Sequence, residues 1–217
     1  MNHEFIIVSS FGLLLFFFVA LLPTMYVALN ALRQIEEEAA EENKINLKRQ
    51  VIEAFNTGDV SNVSQFISPD YINHESRSFA VIENASNIPG QFRDIIKHRT
   101  SLTGPEEFID TIKNLLHAFP DIRHQEQTII AQGDMVVSII NVTGTNTGNF
   151  FILLPAGNKV NYEEVHIYRI GEDGKIVEHK AIRDDLTFLA QLGVVGPLSP
   201  KYQPVFRALT GLTSSSR

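Results

Sequence analysis

Glu164, His166, His179, Lys180, Asp184 and Asp185 fall within one stretch, Val160 to Gly193, VNYEEVHIYRIGEDGKIVEHKAIRDDLTFLAQLG. Carboxylates and imidazoles gathered in this way are the groups that move protons near neutral pH, as a base in one step and an acid in the next. Two histidines without a third ligand make an incomplete metal set, and the chain has no HExxH pattern or phosphate loop. It also has no cysteine, which excludes thiolate nucleophiles, disulfides and Cys-based zinc sites. The chemistry these residue types suggest is acid-base work by Asp, Glu and His.

The stretch reads as strand, tight turn, strand and then a helix opening on an acidic pair. If Glu172-Asp173-Gly174 form a three-residue loop with Gly174 left-handed, Gly171 faces Lys175, His166 faces Lys180 and Tyr162 faces Asp184. Tyr162, Glu164, His166, Lys180 and Asp184 then project together. A two- or four-residue loop shifts the pairing by one and sets His166 opposite His179. The three-residue loop is preferred because it requires glycine in its last position. A strand face carrying Glu, His, Lys and Asp is either exposed or lines a polar pocket, since burying such groups unpaired costs several kcal/mol. Both readings stand at this point, as does Asp184 as an ordinary helix cap and His166 as a satisfied structural histidine.

Around this stretch the chain supplies one folded domain with extensions. A net charge of -7 without a concentrated basic face excludes nucleic acid as partner. Residues 5–32 contain no charged residue, long enough for a transmembrane helix of roughly 20 residues, and are read as a retained single-pass anchor, with a removed signal as the alternative. Arg33, Lys44, Lys48 and Arg49 follow it, which prefers the cytoplasmic side for the domain. Residues 33–43 form an acidic linker. Ile45, Leu47, Val51, Ile52 and Phe55 mark a first domain helix ending at Gly58, and Val60 to Ile67 a short second one. Residues 75–103 read as an inserted loop. Gly104-Pro105-Glu106-Glu107 opens an amphipathic helix that Pro120 stops. From Ile122 the period becomes that of strands, with a hairpin about Gln132-Gly133-Asp134, and residues 196–217 form a proline-containing tail. Helices first and a strand meander after give an α+β domain with helices on one face of a curved mixed or antiparallel sheet.

The segments VIEAFNTGDVSNVSQFISPDYINH, G-P-E-x-F, AFPDI, GDMVV, GTNTGNF, IYRIGEDGKIVEH and DDLTFLAQLG occur in this order. In them the chain from about Lys44 to Val194 resembles the SnoaL-like polyketide cyclases, or ester cyclases, of the nuclear-transport-factor-2-like superfamily. The resemblance implies a cone-shaped sheet around a cavity for a small hydrophobic carbonyl compound, and an aldol-type ring closure without cofactor. It implies Asp184 as the acid/base, with Asp185 as fallback, and His166 and His74 as positioning groups. Tyr71, Asn73, Tyr162, Lys180 and Phe150 would bind substrate, with Phe151 and Leu154 completing the wall beside Phe150. Lys180 stands where relatives often carry tryptophan, and Asn146 where they carry histidine. A hydrolase or dehydratase using a His–Asp pair, and a non-catalytic ligand-binding or homodimerising module, are the rival readings on the same scaffold.

Overall fold

The computed structural model describes residues 3–75, 94, 97–98, 101–150 and 154–194, with side chains from residue 21 onward. Two compact units divide the chain, Met1–Asn43 and Lys44–Arg217. The first is formed by helix α1, His3–Thr57, as far as Asn43. Among the described residues no helix is long and apolar enough to cross a membrane. This overturns the expected single-pass membrane location, and the preference for one side of the membrane goes with it. The side chains of residues 3–20, which carried much of that expectation, lie outside the described residues. The apolar run that remains, Leu21 to Leu32, gives about 18 Å of helix at 1.5 Å per residue, against a hydrocarbon core of about 30 Å. The acidic stretch 33–43 is helical and mostly exposed.

The second unit contains the end of α1, α2 (Val63–Phe66), β1 (Ile67–Asn73), α3 (Gly104–Ala118), β2 (Arg123–Gln132), β3 (Met135–Thr145), β4 (Lys159–Ile170), β5 (Ile176–Arg183) and α4 (Asp185–Gln191). The five strands form one mixed sheet in the order β1-β5-β4-β3-β2. β1 runs parallel to β5 and the other pairs are antiparallel. This is the α+β arrangement expected. The inserted loop over 75–103 and the tail over 196–217 lie largely outside the described residues.

Local chemistry explains where the elements start and stop. In α1 the apolar stripe buries Val51, Ile52 and Ala54, and the helix ends at Gly58, whose φ of 74° is the left-handed conformation glycine adopts without a Cβ penalty. Helix α3 has Pro105 in its first turn and Glu106 and Glu107 at its positive end, and it buries Phe108 and Ile112. β4 alternates so that Val160, Tyr162, Glu164, His166, Tyr168 and Ile170 are buried, while Lys159, Asn161, Glu163 and Arg169 are exposed. One face of this strand therefore carries an acid and a base between two tyrosines.

The β4–β5 hairpin settles the register. Gly174 has φ 76° and Ile170 pairs with Ile176, as the three-residue loop requires. The next pair, however, is Arg169 with Glu178, so Val177 is an extra residue in β5 and a β-bulge shifts everything beyond it by one. His166 consequently faces Ala181, neither Lys180 nor His179, and the pairs on its face are Tyr168 with His179 and Glu164 with Arg183. A one-residue slip moves every side chain to the other face, which is why Lys180 turns outward. Open space surrounds the position of a Cβ at Gly174, so Gly174→Ala is expected to cost about 1 kcal/mol through backbone conformation alone. The urea midpoint measures this, and an unchanged midpoint would show that the turn tolerates a side chain.

The loop between β3 and β4 is held by Asn146, which is buried at 1% exposure. Its Nδ2 donates to the Gly148 carbonyl at 2.9 Å and its Oδ1 accepts from the Ala156 amide at 3.1 Å. A Cβ on Gly148 would lie 2.0 Å from the His117 carbonyl oxygen, so only glycine lets the loop approach the end of α3. This places Phe150 against Phe119 and Phe188, with ring centroids 5.6 and 5.4 Å apart.

Candidate active site

A cavity of about 310 Å³ is lined by α1, α3 and the inward row of the sheet. Phe55, Phe108, Leu115, Ile140 and Phe150 provide apolar wall. Tyr71, Asn73, Tyr162, Glu164, His166 and His179 provide the polar part, joined by Lys48, His124, Tyr168 and Arg183. Polar groups converging within an apolar wall are what a small-molecule site requires.

These groups are wired together. Parallel pairing of β1 with β5 sets Asn73 beside His179, and the Asn73 Oδ1 lies 3.3 Å from His179 Nδ1. His179 Nε2 is 2.9 Å from His166 Nδ1, and His166 Nε2 is 2.9 Å from Glu164 Oε2. The rings of His166, His179 and Tyr168 stack, with 5.2 Å between the histidine centroids and 4.6 Å between Tyr168 and His179. Lys48 Nζ donates to the Tyr168 hydroxyl at 3.3 Å, and Arg183 stands 3.8 Å from Glu164 Oε1.

Proton accounting along this chain gives it two settings. The Glu75 amide donates to Asn73 Oδ1 at 3.1 Å, which fixes that atom as the oxygen and makes His179 Nδ1 a donor. His179 Nε2 then accepts, His166 Nδ1 donates to it, and one further proton lies between His166 Nε2 and Glu164. This is the charged setting. If His166 gives up a proton while its Nε2–H stays on Glu164, its bare Nδ1 can accept from the Tyr168 hydroxyl at 3.4 Å, or from His179 if that ring moves its own proton to Nε2 and releases Asn73. That is the neutral setting.

The surroundings act on this proton in opposing directions. Burial would raise the Glu164 carboxyl, but the hydrogen bond from His166 and the charges of His166 and Arg183 override it and hold the carboxyl at about 2. Burial and then the Lys48 charge push His166 below its ordinary value, against the pull of Glu164. Burial likewise pushes His179 well down and takes His124 to about 4. Lys48 is lowered by burial to about 7, with Glu164 and Glu126 opposing. A proton held by a network yet easily released is what general acid-base catalysis uses.

The expected site residues divide into two groups. His166, Tyr71, Asn73, Tyr162 and Phe150 line the cavity, although the Asn73 oxygen is engaged by Glu75 and His179 rather than directed to a substrate carbonyl. Asp184, His74, Lys180 and Leu154 do not line it. Asp184 is exposed and caps α4, accepting from the Thr187 amide at 3.1 Å, and hydrogen bonding from the Thr187 side chain and then from that amide holds its carboxyl below the usual range. The acid/base role expected for it therefore lacks a place in the cavity, because the bulge turns the end of β5. His74 lies 2.6 Å from Glu178 Oε1, a carboxylate that also binds Arg169. Lys180 is exposed beyond the bulge, Leu154 is 79% exposed, and Phe151 lies outside the described residues. Asp185, the fallback, does line the cavity and pairs with Arg183 at 2.6 Å. Asp184→Asn is expected to leave activity within about twofold, since asparagine caps as well as aspartate. A hundredfold loss in an activity assay would return Asp184 to the chemistry.

Sequence reasoning missed Lys48, His124, Tyr168 and Arg183. Lys48 had a readable signal, since it stands three residues after Ile45 and four before Ile52, on the apolar stripe of α1.

Known proteins resemble this chain in sequence and fold. Residues 91–192 match the family model described as SnoaL-like polyketide cyclase. The chain is 30% identical over 162 residues to the aklanonic acid methyl ester cyclase DnrD of Streptomyces peucetius, covering 74% of this chain and 98% of that one. It is 28% identical over 155 residues to the nogalonic acid methyl ester cyclase of Streptomyces nogalater, covering 71% and 100%. Among solved structures, IdmH from Streptomyces antibioticus is similar with a TM-score of 0.51 at 28% identity, covering 70% of this chain and 99% of that one.

Proposed function

The chain belongs to the SnoaL-like polyketide cyclase family, and from that premise we propose that it closes a ring in a polyketide-like ester inside the cavity, with Glu164 and His166 as the proton-handling pair. The observation that carries this reading is the buried chain Asn73–His179–His166–Glu164. An intramolecular aldol addition needs a base to take a proton from the carbon beside one carbonyl, and an acid to protonate the alkoxide formed at the other. Uptake of the first proton takes the pair from its neutral to its charged setting, and its return to the alkoxide restores the start. No other group need enter or leave.

Each neighbour has a part in this scheme. Arg183 lines the same cavity and is a cation for a developing enolate oxygen. Phe55, Phe108 and Phe150 hold the apolar body of the substrate and keep water from the carbanion. Tyr71 and Tyr162, their hydroxyls kept neutral chiefly by burial, can donate to its carbonyl groups. The name of DnrD supplies the trial compound, aklanonic acid methyl ester. Incubated with the full chain, it is expected to give a chromatographically distinct product of unchanged mass, as an aldol addition requires. Recovery of the ester untouched under all conditions would overturn the reading.

A further inference from the structure

We propose that Lys48 is a nucleophilic amine of this cavity, condensing with the carbonyl of a bound ketone, aldehyde or 1,3-dicarbonyl compound to give an imine or its enaminone. The inference rests on the reading that the cavity holds a carbonyl compound, and it gives work to a buried group that the ring closure leaves unused. Lys48 reaches the cavity from the apolar stripe of α1 and is 3% exposed. Among the described residues its Nζ makes a single hydrogen bond, to the Tyr168 hydroxyl at 3.3 Å, and lies 4.7 Å from the centre of the Tyr168 ring. Glu164 and Glu126 act on it only as charges.

An ammonium has three N–H donors to satisfy, and one long bond with a ring face is poor compensation for lost water. Burial therefore favours the neutral amine, and with the group lowered to about 7 roughly half of the molecules carry it at pH 7. Desolvation of this kind is how lysine becomes a carbonyl nucleophile. In the condensation the amine nitrogen bonds to the carbonyl carbon, the carbon–oxygen bond breaks, and the oxygen leaves as water with two protons. No oxidant or reductant is needed. Once protonated, the imine draws electrons from the adjacent carbon, which eases removal of the proton there by the Glu164–His166 pair.

The test labels the full chain with 2,4-pentanedione at pH 7 and maps the modified lysines by mass spectrometry. The expected result is a Lys48 adduct with the mass of the diketone less water, formed at least tenfold faster than adducts at the exposed Lys159 and Lys180. It should be accompanied by a near-ultraviolet enaminone band. Lys48→Arg is expected to abolish the fast phase. Labelling of Lys48 no faster than of Lys159 and Lys180, or a fast phase that survives in Lys48→Arg, would overturn the proposal, and the first of these is read on the unaltered protein. Turnover of aklanonic acid methyl ester is followed separately. Cyclisation without fast labelling removes the amine role and leaves ring closure standing, while fast labelling without cyclisation does the reverse.

Discussion

Replacing His166 with asparagine, or Glu164 with glutamine, is expected to lower the turnover of aklanonic acid methyl ester by about a hundredfold or more, the range general acid-base groups contribute. His166→Asn removes the only ring that touches both His179 and Glu164 in the described chain. Glu164→Gln keeps shape and a hydrogen bond but removes the negative charge that opposes the effects of burial and Lys48 on His166. The imidazolium should then be lost at lower pH, so the acid limb of the rate profile should move down as the plateau falls. Because the two residues act on one proton, the double variant is expected to be little worse than either single one. Full additivity would mean they do separate jobs. Circular dichroism separates loss of chemistry from loss of fold.

Acid should destabilise the domain well before ordinary carboxylates titrate. In the unfolded chain His124, His166 and His179 take protons near 6.5, whereas in the folded chain burial holds all three below that, His124 at about 4. Between those values the unfolded state binds more protons, so stability falls as pH falls. His124 alone accounts for about 3 kcal/mol over that window, from about 1.4 kcal/mol per pH unit. Glu164 acts in the same sense at lower pH: its folded value of about 2 is below the unfolded one of about 4.3, so its stabilisation is present above the latter and lost on the way down. Lys48 extends the slope upward, since its folded value of about 7 is below the unfolded one of about 10.4. Urea unfolding between pH 4 and 7 should show a steadily falling midpoint in acid, and His124→Gln should flatten the slope by about one proton. A midpoint constant from pH 6.5 to 4 would contradict the burial of these rings.

Much of this was legible because local patterns carry it. The alternation along β4 placed Tyr162, Glu164 and His166 on one face, and Gly174 marked the turn. Gly58 and Pro105 marked helix ends for reasons of backbone conformation. The partner of that face was not legible. The bulge at Val177 leaves no mark in the alternation, yet it replaces Lys180 and Asp184 with His179, Ala181 and Arg183 on the inner row. The parallel pairing that brings Asn73 to His179 joins distant segments, so no spacing announces it. Asp184 was selected by its position in a family pattern, and the structure gives it the work of a cap. Lys48 carried a signal that was read as the basic flank of an apolar segment, when its place on the apolar stripe of α1 marked it as buried.

In the proposed reaction the Glu164–His166 pair, inside the cavity, removes the proton beside the substrate carbonyl. Exchange of that proton for deuterium in heavy water, followed by mass spectrometry on the recovered ester, tests it most directly because it reads the first step alone. Exchange is expected with the unaltered chain and with Asp184→Asn, and is expected to vanish with His166→Asn. Exchange that survives in His166→Asn and disappears in Asp184→Asn would contradict the account.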